Sequence, residues 1–227
     1  MSILFKIVCL TLILFMQSPA FGGQEKADLL KGIQGKYSRL PGMTVTYTRE
    51  VITRSMSMLG DRLKGDLARG RIHFRPPHFL RLDQETPEQE TVIADSETLW
   101  WYIPKRKIVY KYPARTFAAE LRLLSDIFRG LTQVEEGFDV SLVGKDKEGR
   151  SMIELRPDPP WVEIDHLVIS ATEEYEIRQV DIQNQLGNLT IFRLEDLSVR
   201  NGFEDGFFML LPLEGVTIVE EEDPRQP

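Results

Sequence analysis

Cysteine is almost missing from this chain of 227 residues, and the single one, Cys9, lies inside an apolar run near the N-terminus. With no second thiol, an internal disulfide and a thiolate zinc centre are both excluded. Histidine is scarce as well: His73, His78 and His166 are scattered, and no two are spaced like an HExxH ligand pair. No metal is expected. The chain also lacks a Gly-x-Ser-x-Gly elbow, a Walker loop and a dinucleotide-binding glycine fingerprint. Carboxylates are numerous, but their spacing singles out no acid/base pair. An enzyme is not expected, and neither is a cofactor. The formal net charge of −7 argues against nucleic acid or an anionic membrane surface as the main partner.

The first 22 residues carry what a secretory signal peptide needs: Lys6, the apolar run 7–16, and then Ser18, Pro19 and Ala20. The run is too short for a permanent anchor. Cleavage after Ala20 or after Gly22 fits the requirement for small residues at the cut. Cys9 lies too early to be the acylated residue of a lipoprotein signal. Losing the segment removes Lys6, takes the charge to −8 and leaves a mature chain without cysteine. An exported protein with no disulfides fits the bacterial periplasm.

The remainder is an ordinary globular composition, 42% hydrophobic and 28% charged, able to build one sizeable core. Its centre of organisation is 70–112, where short runs at 71–75, 78–83, 90–94, 98–103 and 107–112 follow one another with no room for a helix. Strands this close pair as antiparallel neighbours in a meander. Before it, 24–40 predicts a helix with Leu29, Leu30, Ile33, Tyr37 and Leu40 on one side, weakened by Gly32 and Gly35. Residues 43–53 predict a strand, and 56–70 the turn of a long hairpin.

After the meander, 115–133 predicts an amphipathic helix with Phe117, Leu121, Leu124, Ile127, Phe128 and Leu131 in one arc. Glu120 falls in the same arc, where an unpaired carboxylate is costly, so it meets a cation or sits at the rim. Strands are then predicted at 138–143, 151–156, 164–170, 175–183, 189–199, 207–211 and 216–219, with an acidic tail at 220–227. Eleven to thirteen strands in all lie in the range where a sheet must curl. No repeat and no linker divides the chain, so one domain is expected over 23–219.

What stands out is a surplus of large apolar side chains on a curved sheet with few elements to cover it. Ile72, Phe74, Leu80 and Leu82 share one pleat parity. Ile108, Tyr110 and Tyr112 share another, and Trp100 to Ile103 are apolar on both faces. Each is individually a core residue first. Together, in an open barrel, they can surround a cavity that takes a lipid.

Several runs also resemble the periplasmic outer-membrane lipoprotein carrier family, LolA. They are Gly70-x-Ile72-x-Phe74 before a proline, Thr86-Pro87, Val92-Ile93-Ala94-Asp95, and Leu99-Trp100-Trp101-Tyr102 with Pro104. Gly187-Asn188-Leu189-Thr190 with Asn201, and Phe208-x-Leu210 with Pro212 and Gly215-Val216, are similar to the family's closing strands.

The resemblance implies a mainly β fold, an unclosed antiparallel half-barrel with a helical lid over an apolar concave face. It implies a monomeric chaperone that accepts acylated lipoproteins from an inner-membrane ABC exporter and passes them to an outer-membrane receptor. A periplasmic carrier or sensor for another lipid or glycolipid is the alternative on the same fold. The ligand-contacting set expected from both readings is Ile72, Phe74, Leu80, Leu82, Trp100, Trp101, Tyr110, Phe117, Leu121, Leu124, Phe128, Phe192, Phe208 and Leu210.

The family's lid-latching arginine precedes a proline after the second strand. An ungapped alignment puts Pro76 in that slot, although Arg75-Pro76 is the tempting match. Arg75 shares the parity of Arg71 and His73, so a solvated strand arginine is its expected role. If a polar latch exists, Glu120 and Arg75 are its candidates.

Overall fold

The computed structural model describes residues 20–58, 65–113, 119–210 and 214–220, with the side chains of 20–22 and 119–122 excluded. Most of the expected signal segment, Phe117 and residues 221–227 therefore lie outside the described residues.

Among the described residues, twelve strands form one sheet that does not close on itself, in the order β12-β6-β5-β4-β3-β2-β1-β11-β10-β9-β8-β7. The first six are β1 (Met43–Ile52), β2 (Asp66–Arg75), β3 (Phe79–Thr86), β4 (Glu90–Ala94), β5 (Thr98–Ile103) and β6 (Ile108–Pro113). These make the antiparallel meander that the short intervening turns demand. A second meander runs through β7 (Phe138–Lys145), β8 (Ser151–Pro157), β9 (His166–Ala171), β10 (Ile177–Gln183) and β11 (Leu189–Val199). The pairing of β1 with β11 joins the two. The last strand, β12 (Thr217–Glu220), runs parallel to β6 at the sheet edge.

Three α-helices accompany the sheet among the described residues: α1 (Ala20–Tyr37), the short α2 (Arg54–Met58) and α3 (Ala119–Phe128). On α1, Leu29, Ile33 and Tyr37 are buried, as their spacing requires, while Leu30 and, past the helix end, Leu40 are half-buried. The helix ends three residues before the expected Leu40, with Pro41 close behind. α3 is also shorter than predicted. It stops at Phe128, and Gly130 follows with φ +85°, a left-handed turn suited to glycine. A side chain there would press on the α1 backbone, 3.0 Å from Gln34 Cα.

Three other expectations need correction. Residues 66–70 are strand rather than turn, because β2 keeps pairing with β1 as far as Val51. Residues 205–208 form turns instead of a strand, because this segment lies across the sheet and not beside a strand. Glu220 belongs to β12 rather than to the tail, and Lys111 Nζ donates to its carboxylate at 3.0 Å.

One face of the sheet is concave and apolar. Directly opposed residues on antiparallel strands share a face, so the register Met43–Phe74–Leu80–Ala94–Leu99–Tyr112 traces one row across it. Val45–Ile72–Leu82–Val92–Trp101–Tyr110 traces the next. The apolar stripes of α1 and α3 lie on these rows in a single continuous core. Phe128 reaches Phe74, with ring centroids 6.0 Å apart.

Candidate functional site

The concave face is the place where a ligand of hydrocarbon would have to go. Its floor gathers most of the predicted contacts: Ile72, Phe74, Leu80, Leu82 and Phe192 are buried in the core beside Leu124 and Phe128 of α3. Trp101 and Tyr110 border it half-buried, with ring centroids 5.6 Å apart, and Tyr110 stacks on Tyr112 at 6.1 Å. The Trp101 indole Nε1–H donates to Glu90 Oε2 at 2.9 Å, so the polar end of a large apolar ring is satisfied at the margin. The described side chains of α1 and α3, including Leu29, Ile33, Leu123 and Ile127, pack into the hollow themselves. The side chain of Leu121 is outside the described set, as is that of Glu120.

Two predicted contacts, Trp100 and Phe208, do not belong to the concave face. Trp100 pairs with Ile93 and Lys111 on the convex face, where the Lys111 ammonium lies 5.4 Å from its ring. Alternation along β5 settles this, since Trp101 takes the other side. Phe208 is buried on the convex side against Phe79, at 5.8 Å. Leu210, half-buried, follows it on the same segment.

That segment follows β11, and its residues 203–208 lie against the convex face, on His73, Phe79 and Arg81. Phe203, Phe207 and Phe208 cluster on it, with centroids 4.9 to 5.2 Å apart. Arg75 accounts for part of its attachment. The Arg75 guanidinium lies 4.3 Å from the Phe79 ring and 5.0 Å from that of Phe208, a cation–π clasp on the side away from both helices. Arg75 is therefore neither a lid latch nor merely a solvated arginine. The Arg81 guanidinium does the same over Phe207, at 4.7 Å, and donates to its carbonyl at 2.9 Å.

Beneath this strap lies a polar network. His73 Nδ1 is 3.0 Å from Thr44 Oγ1, and its Nε2 is 3.5 Å from Asp83 Oδ2. Asp83 also accepts from Arg81 at 2.8 Å and from Thr91 at 2.9 Å. Burial alone would raise its pKa; hydrogen bonds from His73, Arg81 and Thr91, with the charge of Arg81, outweigh that and hold it down at about 2. Among the described residues no cluster of His, Cys, Asp and Glu could hold a metal ion. No described helix is long and apolar enough to cross a membrane.

Sequence reasoning missed one polar residue on the concave face. Arg49 lies opposite Ala68 on β2 and Phe192 on β11, both buried, so it shares the face of Val45 and Tyr47. Counting by twos along β1 would have found it.

Comparison with known proteins agrees with this geometry. The family model described as outer membrane lipoprotein carrier protein LolA matches residues 60–210. An outer-membrane lipoprotein carrier protein of Histophilus somni (strain 2336) is 28% identical over 78 residues, 34% of this chain and 35% of that protein. That match spans about a third of the relative's length. Its namesake in Pectobacterium atrosepticum is 22% identical over 201 residues, 88% of this chain and 90% of the relative. Among solved structures, an uncharacterized conserved protein from Thermus thermophilus superposes with a TM-score of 0.54 at 11% identity, covering 87% of this chain and all of that one. An unclosed sheet with helices on its apolar face, together with a family match over about two thirds of the sequence, places the chain in the LolA family of outer membrane lipoprotein carrier proteins.

Proposed function

We propose that this protein is a periplasmic chaperone for acylated lipoproteins, taking them from an inner-membrane ABC exporter and handing them to an outer-membrane receptor. Residues 1–22 direct its export and are removed after Ala20 or Gly22, leaving one carrier domain over 23–219. The observation that carries the reading is the apolar concave face and the manner of its cover: apolar side chains of α1 and α3 pack onto it in one core with the sheet's own.

Each CH₂ kept from water is worth about 0.8 kcal/mol, so a sixteen-carbon chain left exposed costs on the order of 10 kcal/mol. A carrier has to offset that cost without binding so tightly that release fails. Exchanging Leu123, Leu124, Ile127 and Phe128 for an acyl chain replaces apolar contact with apolar contact. The net change is small, and the affinity can lie between that of donor and acceptor. The described side chains of α3 make no hydrogen bond to the sheet, which supports α3 as the part that moves aside.

Solvent extraction of the protein purified from periplasm, followed by mass spectrometry, tests the proposal. Co-purified acylated lipoprotein is expected. A free phospholipid or glycolipid in its place would make the protein a carrier or sensor of another lipid, and ester turnover with nothing bound would make it an enzyme.

A further inference from the structure

The concave face of the described structure contains a single orphaned polar group. Arg49 Nε is buried and has no hydrogen-bond partner, and it is the one buried side-chain nitrogen or oxygen in that condition among the described residues. The rest of the guanidinium is weakly held. Its Nη2–H donates to Gln84 Oε1 at 3.4 Å, while the Gln84 amide is itself engaged with the Glu88 carbonyl at 2.9 Å. A desolvated guanidinium N–H without an acceptor is costly, because burial removes water and nothing replaces it. The site is complete only when something brings an acceptor to it.

Resting on the carrier reading above, we propose that Arg49 binds the linkage oxygens of the cargo, the ester carbonyls through which acyl chains join the lipoprotein's N-terminus. The placement fits a ligand with a polar head and a long tail. Met43, Val45, Tyr47 and Arg49 share one face of β1, and six residues of strand span about 20 Å, close to the length of an extended palmitoyl chain. With the carbonyls at Arg49, the tail runs along Tyr47 and Val45 and ends beside Met43 and Phe74, under Phe128.

The neighbouring charges favour a neutral acceptor over a phosphate. Tyr47, next on the same face, has its phenol pushed up to about 12, mainly by burial; the charge of Arg49 lowers it, and those of Glu90, Asp83 and Glu85 raise it. A phosphate entering here would face Glu90, which shares this side of the sheet, whereas a carbonyl takes the Nε–H without adding charge.

The test uses the mature protein, a water-dispersible triacylated lipopeptide, and the apolar dye N-phenyl-1-naphthylamine, which has no carbonyl. Arg49→Met should weaken lipopeptide binding about 10- to 100-fold, the loss expected of a hydrogen bond to a charged group, and leave dye affinity unchanged. Arg49→Lys, which keeps the charge but not the Nε geometry, should fall between. A second comparison needs no variant: the wild-type protein should prefer the ester-linked lipopeptide over its ether-linked analogue by a similar factor.

Equal affinity for ester and ether forms would overturn the proposal, as would equal loss of lipopeptide and dye in Arg49→Met. It would equally be overturned if Arg49→Met lost only phosphatidylglycerol binding, which would assign the arginine to a phosphate. A wild-type protein that takes the dye but no lipopeptide would remove the carrier reading itself, a result distinct from all of these.

Discussion

α1 and α3 cover the same sheet face but are fastened to it in different ways. α1 is tied along its length. Lys26 Nζ donates to the Val140 carbonyl at 3.3 Å and to Glu135 at 2.8 Å. Lys36 Nζ reaches the Glu174 carbonyl at 3.2 Å, and the Ile177 amide donates to the buried Tyr37 hydroxyl at 3.0 Å. The Tyr175 ring lies against Gly32 so closely that a Cβ there would be 2.3 Å from it. The glycine that weakens the helix locally is thus what lets the β9–β10 turn grip it. Among the described residues, the α3 side chains 123–128 make no hydrogen bond to the sheet: Asp126 accepts locally from Arg129, while Leu124, Ile127 and Phe128 hold by packing. Packing is non-directional and can be exchanged for a ligand's hydrocarbon, whereas a buried hydrogen bond cannot be given up so cheaply. The contrast divides the cover into a fixed half and an exchangeable half.

Truncating Phe128 gives the largest expected effect and the most direct way to break this division. The residue is 1% exposed. Phe128→Ala should remove about 3 to 5 kcal/mol of packing. If α3 opens as its own unit, that loss falls on the protection of α3 amides in native-state hydrogen exchange, and amides in β1 and β11 lose much less. Equal losses in both would mean that α3 and the sheet unfold together.

Tyr37→Phe probes the fixed half and should cost about 1 to 3 kcal/mol, because the Ile177 N–H is left buried without an acceptor. The urea midpoint should fall, and exchange at Ile177 should quicken, while α3 protection relative to the sheet stays unchanged. A midpoint equal to that of the wild type would show that the hydroxyl pins nothing.

Much of this arrangement was legible in the sequence, and what was not has physical causes. Pleat parity placed Ile72, Phe74, Leu80 and Leu82 on one face, because turns of fixed length leave antiparallel neighbours no other register. It also kept Arg75 off the lid, although not its clasp on Phe79 and Phe208, which depends on a segment more than a hundred residues away. The start of β2 was hidden because Asp66 to Arg69 show no alternation; pairing with β1 holds them in a strand. Phe207 and Phe208 suggested a strand, since apolar residues in a short run fit an edge as well as a strap laid across a sheet. Trp100 was the converse case: an aromatic pair cannot declare its own faces until a neighbouring strand fixes the parity.

The convex face provides the control, with the smallest expected effect. Asp83, held at about 2, sits under the strap and touches neither helix in its described interactions. Its folded pKa is below the ordinary carboxylate value of 3.8, so the unfolded chain takes up the proton first. The stabilisation is fully present above about pH 4 and is lost as pH falls through about 2. Asp83→Asn should therefore be less stable than the wild type at neutral pH, and the gap should close across that acid window in denaturant titrations. Because the carboxylate holds the strap and not the lid, the same acidification should leave the relative protection of α1 and α3 unaltered. If α3 alone loosened through the Asp83 titration, the two faces of the sheet would be coupled, and the exchangeable half of the cover would be governed from the far side.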